Sequence, residues 1–337
     1  MNFRSEFTPK PFSIKMKHTD KLLLVGSCFT EQIGKKLAAH KFDVLENPNG
    51  ILFNPMSIAK AVISYANGKM YSEDDLFYYN ELWASREHHT QFSNIGKDAA
   101  LKNINESQTK AIDFIKKTDW ILLTLGSAFV YEWKDIVAEN NYENVAANCH
   151  KIPTDKFNRR LTEPEEIISI LQKMEATVRL VNPTVKFIYT ISPVRHLREG
   201  FIENNRSKAA LIQTVHALTN DTNIFYFPAY ELVIDDLRDY RFFAEDLVHP
   251  NYAATNYVWE KFVPTVIDEP SQQLMMEIND LNAAMSHRAF NPCSEAHKKF
   301  LDANLEKLEK LKNKFPYLAF EKETLFFSEW KNEGQTF

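Results

Sequence analysis

Four short runs of consecutive apolar residues punctuate the chain: KLLLVG at 21–26, DWILLTLG at 119–126, VKFIYTIS at 185–192 and NIFYFP at 223–228. Their apolar positions are continuous rather than alternating, which predicts strands buried on both faces, as in a parallel sheet. Segments with helical spacing lie between and after them, at 28–40, 54–68, 162–181, 204–220 and 251–263. The segment at 54–68 has Pro55 near its start and ends at Gly68, in keeping with the opposite terminal preferences of these residues. The segment at 162–181 has Thr162 as its expected N-cap and acids in its first turn, where the helix dipole favours them. Strand–helix alternation of this kind predicts an α/β fold with a doubly wound parallel sheet.

Two stretches, about 70–110 and 131–160, are polar with weak periodicity, and read as long excursions from the sheet of the sort that build sites. Beyond them, 271–290 and 294–315 read as two helices, the second rich in charge. The expected organisation is an α/β domain over 1–268 and a helical C-terminal extension over 269–337, which offers a surface for homo-oligomers.

Composition narrows the classes. With 337 residues, 44% of them hydrophobic, the chain can bury a large core. A formal charge of −5 argues against a nucleic-acid partner. No run of ~18 apolar residues suits a membrane span, and the N-terminal twenty residues lack the apolar core of a secretion signal. Cys28, Cys149 and Cys293 are odd in number and scattered, so reduced thiols and a cytoplasmic location are expected. No glycine-rich phosphate loop is present, and no cofactor is expected. Cys28, His88, His89, Cys149, His150, His196 and His249 show no close-set ligand spacing, so no metal is expected either.

In an open parallel sheet, ligands bind at the carboxyl ends of the strands. Ser27 and Cys28 follow the first apolar run directly, after Gly26. A helix starting there would aim its free N–H groups at either side chain. The turn alone leaves open whether one of them is a nucleophile or Ser27 merely caps the helix. Far downstream, in FFAEDLVHPNY, Asp246 stands three residues before His249. One turn of irregular backbone can set the carboxylate on one ring nitrogen and leave the other free to take a hydroxyl proton. Arg195 and His196 follow the third run; Arg195 suits either an anionic substrate group or a structural ion pair.

The ordered pair of Gly-Ser and Asp-x-x-His resembles the SGNH, or GDSL-type, hydrolase superfamily. More closely, GSCFT at 26–30 resembles the motif that names the GSCFA domain family. The segments NPNGILFNPMSI (47–58), NCHKIP (148–153), SPVRHLREGFIENNRSKAAL (192–211) and YFPAYELVIDDLRDYRFFAEDLVHP (226–250) resemble further blocks of that family, over roughly 3–265. The resemblance implies a flavodoxin-like, SGNH hydrolase-like sheet. It implies Ser27 as nucleophile, His249 as base and Asp246 as the orienting carboxylate, with Gly50 as the second-block oxyanion donor. In the third block Gly126 is present, but Ala128 and Phe129 stand where the superfamily has Asn and Asp. Asn54, Ser127 and His89 are the candidates to replace the missing amide. The superfamily pattern makes Cys28 a packed neighbour of the nucleophile.

The expectation is therefore a serine esterase or acyltransferase acting on an O-acylated small molecule or glycan. Two alternatives are a non-catalytic ligand-binding protein on the same fold and an acyl transferase that uses Cys28.

Overall fold

The computed structural model describes residues 4–136, 142–288, 290–292 and 294–333, with only the backbone of 329–333. Cys293 and the middle of the 131–160 excursion lie outside them. The chain divides into two compact units, Met1–Lys36 with Phe42–Ile267, and Leu37–Lys41 with Asp268–Phe337.

The first unit is built on five parallel strands: β1 (Lys21–Gly26), β2 (Asp43–Glu46), β5 (Trp120–Leu125), β8 (Lys186–Ile191) and β9 (Ile224–Phe227). Their order is β2-β1-β5-β8-β9, the flavodoxin-like arrangement of a doubly wound sheet. Leu24 pairs with Leu122, and Leu122 with Ile188, so the carboxyl ends of the three central strands share one edge. Between the strands run α1 (Cys28–Ala39), α2 (Pro55–Ala66), α3 (Lys97–Ile115), α4 (Pro164–Val181) and α5 (Phe201–Leu218). A three-residue α6 (Ala229–Glu231) passes into a π-helical turn at Leu232–Leu237, and α7 (Tyr252–Val266) follows.

Both faces of the sheet are covered, which is why its strands read as unbroken apolar runs. On one face Leu23, Val25, Leu123, Phe187 and Tyr189 pack with Met56, Val62, Ile115, Leu171 and Leu211 of the helices. The alternate residues Leu22, Leu24, Leu122 and Ile188 are equally buried. On the terminal strand, Phe227 meets Phe262 of α7 with ring centroids 5.0 Å apart.

The two polar stretches hold more regular structure than their periodicity predicts. The first contains a hairpin of β3 (Leu76–Tyr79) and β4 (Leu82–Ser85) and the start of the 19-residue α3. The second is bounded by a hairpin of β6 (Phe129–Trp133) and β7 (Phe157–Leu161). Thr162 is not the cap of α4. The cap position belongs to Glu163, ahead of Pro164 at the helix start. Thr162 is buried and donates both its N–H (2.9 Å) and its hydroxyl (2.6 Å) to the Ala128 carbonyl.

The second unit holds α8 (Glu269–Ser286), α9 (Glu295–Lys314) and α10 (Glu321–Glu333). Its own small core joins Leu274, Ile278, Leu301, Leu308, Phe320 and Phe327.

Candidate active site

The turn from β1 into α1 is held on all sides. Gly26 has φ +150°, and a Cβ there would stand 2.4 Å from the Thr124 carbonyl oxygen, so only glycine fits. Its N–H donates to Asn47 Oδ1 (2.9 Å) and its carbonyl accepts from Leu52 N–H (3.0 Å). The segment 47–52 thus braces the strand end. Ser27 follows with its N–H on the Thr124 carbonyl at 3.2 Å. Its side chain is buried, and Oγ has no hydrogen bond among the described residues. Cys28 opens α1, half-buried. Burial, helped by Glu31, pushes its thiol above the usual range, against the opposing pull of the Cys28 and Phe29 N–H groups.

The Asp246–His249 pair forms within one tight turn. Leu247 adopts a left-handed conformation (φ 57°) that folds the chain back. Asp246 Oδ1 then accepts from Val248 N–H (2.9 Å) and His249 N–H (3.0 Å), while Oδ2 sits 2.6 Å from His249 Nδ1. These two N–H groups, with the imidazole, hold the carboxyl down at about 2. The ionised carboxylate must accept, so Nδ1 carries the proton and Nε2 is left as the basic nitrogen. The His249 carbonyl accepts from Ala244 N–H at 2.7 Å, and the Val248 carbonyl from Arg195 N–H at 3.2 Å. The second bond fastens the turn to the segment leaving β8, at the carboxyl edge where Ser27 also lies. The pair itself is open to solvent, each side chain 49% exposed. Ser27 Oγ and His249 do not hydrogen-bond in this conformation.

Behind these groups lies a polar floor. Lys208, on the third turn of α5, is buried and donates from Nζ to the Gly126 and Ser192 carbonyls, both at 2.7 Å. It joins the carboxyl ends of β5 and β8, and burial pulls its ammonium down to about 7. The adjacent Ser207 Oγ accepts from Ala128 N–H (2.7 Å), and one turn earlier Asn204 Oδ1 accepts from His196 N–H (2.9 Å). His196 Nε2 is buried without a hydrogen bond among the described residues, and its ring meets Phe53 edge-on at 5.4 Å. Burial, with Lys208 and His249 nearby, takes His196 down to about 3, so it is neutral.

Most of the expected oxyanion donors are already engaged. Gly50 N–H is spent on the Asn47 carbonyl (2.7 Å), and the N–H groups of Gly126 and Ser127 on the Phe53 carbonyl (2.8 and 3.0 Å). Gly50, at φ +78°, is there because a Cβ would strike His89 Cβ at 2.4 Å. The Ser127 hydroxyl accepts from Phe129 N–H and lies 3.3 Å from Ser207 Oγ. His89 is partly exposed and accepts weakly from Gln91 N–H (3.4 Å). Asn54 differs. Its Oδ1 caps α2 by accepting from Ser57 N–H at 2.8 Å, which leaves its amide Nδ2 without a hydrogen bond among the described residues. Asn54 borders a cleft of about 760 Å³ whose walls include Phe129, Tyr131, Arg195, His196 and Val248, the neighbour of His249. Ser27 is not on that wall.

Several contributors were not singled out by their sequence. Asn47 had no signal beyond lying in the glycine turn. Lys208 had one: it occupies the apolar stripe of α5 that continues through Leu211 and Val215, where a lysine must find carbonyl partners. Arg206, next to these residues, faces outward and pairs with Glu203 at 3.0 Å. Of the scattered histidines, His88 is a buried packing residue bonded to Ser85 Oγ (2.9 Å), and His150 bonds the Ser85 carbonyl (2.9 Å). Among the described residues, no three His, Cys, Asp or Glu side chains gather as a metal-ligand group, and no helix is long and apolar enough to cross a membrane.

Fold and site define a doubly wound α/β protein with a serine on its first strand–helix turn and a carboxylate–imidazole pair at the same edge. The GSCFA family matches residues 21–262, and the GSCFA domain protein C-terminal domain matches 278–329. The chain belongs to the GSCFA family. No curated protein matches it. Solved structures similar to it at low identity include two esterases. One is a carbohydrate esterase family 3 from Talaromyces cellulolyticus (14% identity, TM-score 0.35, 78% of this chain and 99% of that one). The other is a mutant acetyl esterase with acetate ion (15% identity, TM-score 0.36, 78% of this chain and 100% of that one).

Proposed function

We propose that the chain is a serine esterase or O-acyltransferase of SGNH type. The observation that carries this reading is the Asp246–His249 pair, closed at 2.6 Å and fastened to the strand edge that bears Ser27. In this reading Ser27 Oγ attacks the ester carbonyl carbon and His249 Nε2 takes its proton. The C–O bond of the tetrahedral intermediate then breaks, and the leaving alkoxide takes that proton from His249. Water or an acceptor alcohol releases the acyl group by the same steps in reverse. Asp246 holds the tautomer throughout.

Ser27 Oγ is buried and free of hydrogen bonds among the described residues, so the reading requires the groups over it to part and the exposed His249 turn to reach it when substrate binds. Catalytic hydrogen bonds commonly tighten only in the complex. Asn54 Nδ2 is the side-chain amide that replaces the missing third-block asparagine. The substrate is an O-acylated small molecule or glycan. Ser27→Ala beside wild type, assayed on p-nitrophenyl acetate and on acylated sugars, tests the assignment. Loss of turnover is expected, and equal turnover by both proteins would sink it.

A second reading has its own support. The engaged N–H groups of Ser27, Gly50 and Gly126 suit a protein that binds an acylated or anionic ligand without turning it over. Such a protein binds ligand and has no esterase activity. The Cys28-dependent transferase is disfavoured, because burial raises the thiol and opposes formation of the thiolate.

A further inference from the structure

The cleft beside the Asp246–His249 turn is lined by more basic than acidic side chains. The chain carries 45 Asp and Glu against 40 Lys and Arg. Elsewhere, arginines such as Arg86, Arg160, Arg179 and Arg241 sit on carboxylates. Arg195, Arg198 and Lys151 all border the cleft, and among the described residues none of them has a carboxylate partner. The lining's one carboxylate among the described residues, Glu199, accepts from the Tyr131 hydroxyl at 2.8 Å and is outnumbered by the three cations.

Both guanidinium groups rest on aromatic rings. Arg195 lies over Phe243 (4.7 Å) and Tyr240 (5.1 Å) and donates to the Tyr240 hydroxyl at 3.2 Å. Arg198 lies over Tyr131 at 5.4 Å. The rings hold the forks in place without neutralising them, and most of their N–H donors remain unused. A planar fork of that kind matches the oxygens of a phosphate or a carboxylate. The volume, about 760 Å³, falls in the range of roughly 300–1,000 Å³ that holds whole ligands. An acetyl group alone would leave most of it empty.

We propose that this cleft binds the alcohol portion of the ester, and that this portion carries an anionic group, a phosphate or a carboxylate, held by Arg195 and Arg198 with Lys151. This rests on reading the site as an esterase or acyltransferase. Phe53, Phe129 and Tyr131 then supply the apolar wall against which the body of the alcohol packs.

The test separates binding from turnover. Full-length Ser27→Ala protein is titrated by calorimetry with glucose, glucose 6-phosphate and glucuronate. At least one charged sugar is expected to bind ~tenfold or more tightly than glucose, which is about 1.4 kcal/mol, and the tighter one distinguishes phosphate from carboxylate. Arg198→Gln and Lys151→Gln, both at exposed positions, are each expected to shrink that margin, and added salt to weaken it in the parent protein. No margin of charged over neutral sugar, whether all three bind alike or none binds, overturns the proposal. So does a margin that survives both substitutions. Wild-type turnover of p-nitrophenyl acetate by Ser27→Ala would remove the serine reading and leave the anion margin standing, so the two failures can be told apart.

Discussion

Lys208→Met isolates the buried lysine beneath the strand ends. Wild-type Lys208 satisfies the Gly126 and Ser192 carbonyls at 2.7 Å each. Methionine fills the space but donates nothing, and two buried carbonyls lose their partners, at about 1–3 kcal/mol apiece. Charge adds a pH signature. A neutral amine keeps two N–H donors, which matches the two carbonyls, and burial brings the folded-state value down to about 7 from 10.5. The folded value is depressed, so between these two the unfolded chain binds the extra proton. The contribution of Lys208 is therefore complete above the unfolded value and is lost as pH falls through about 7. Within that window stability rises by about 1.4 kcal/mol per pH unit for one proton. Urea unfolding of wild type and Lys208→Met at about pH 7.5 and about pH 9 measures it. The difference between the two proteins should widen by about 2 kcal/mol at the higher pH. A difference that stays constant, or narrows, would refute the claim that Lys208 folds as a largely neutral amine.

Three further outcomes are expected. Asn54→Asp keeps the cap on α2 while removing the amide donor; acetyl ester kcat should drop by about 10²–10³ with little change in urea midpoint, and an unchanged kcat would exclude Asn54 from the oxyanion site. Asp246→Asn should lower kcat by about 10²–10⁴ through the wrong imidazole tautomer, with KM for the ester nearly constant; a change confined to KM would contradict that role. Gly26→Ala forces a Cβ to 2.4 Å from the Thr124 oxygen at φ +150°, so unfolding in urea should occur at markedly lower concentration, by at least about 2 kcal/mol, and wild-type stability would refute the steric argument.

The central strands were legible because they are buried on both faces: the runs at 21–26, 119–126, 185–192 and 223–228 match β1, β5, β8 and β9 to within a residue at most ends. The edge strand β2 was not. Its four residues, Asp43–Glu46, are partly exposed and carry an acid at each end. Nor was α3, because its buried stripe runs Ala100, Ile104, Gln108, Ala111, Ile115. Two alanines and a glutamine make a weak apolar signal, and Gln108 is bonded to Ser64 and Lys69 rather than repelled from the core. At the site, local spacing led to the Asp246–His249 contact, since three residues can close it. The oxyanion donors depend on which distant carbonyl each N–H meets. That is why Gly50, expected as a donor, instead closes its own turn on Asn47. Lys208 bridges β5 and β8, strands some sixty residues apart in sequence; its place on the apolar stripe of α5 signals a buried amine but not which carbonyls it meets.

The central claim is that Ser27 is an activated nucleophile served by His249 and Asp246. A fluorophosphonate probe, with the adduct located by peptide mass spectrometry, addresses it most directly. The account predicts a single adduct on Ser27, lost in Ser27→Ala and strongly slowed in His249→Ala. No adduct on the wild-type protein, or labelling of Ser27 at the same rate in His249→Ala, would contradict it.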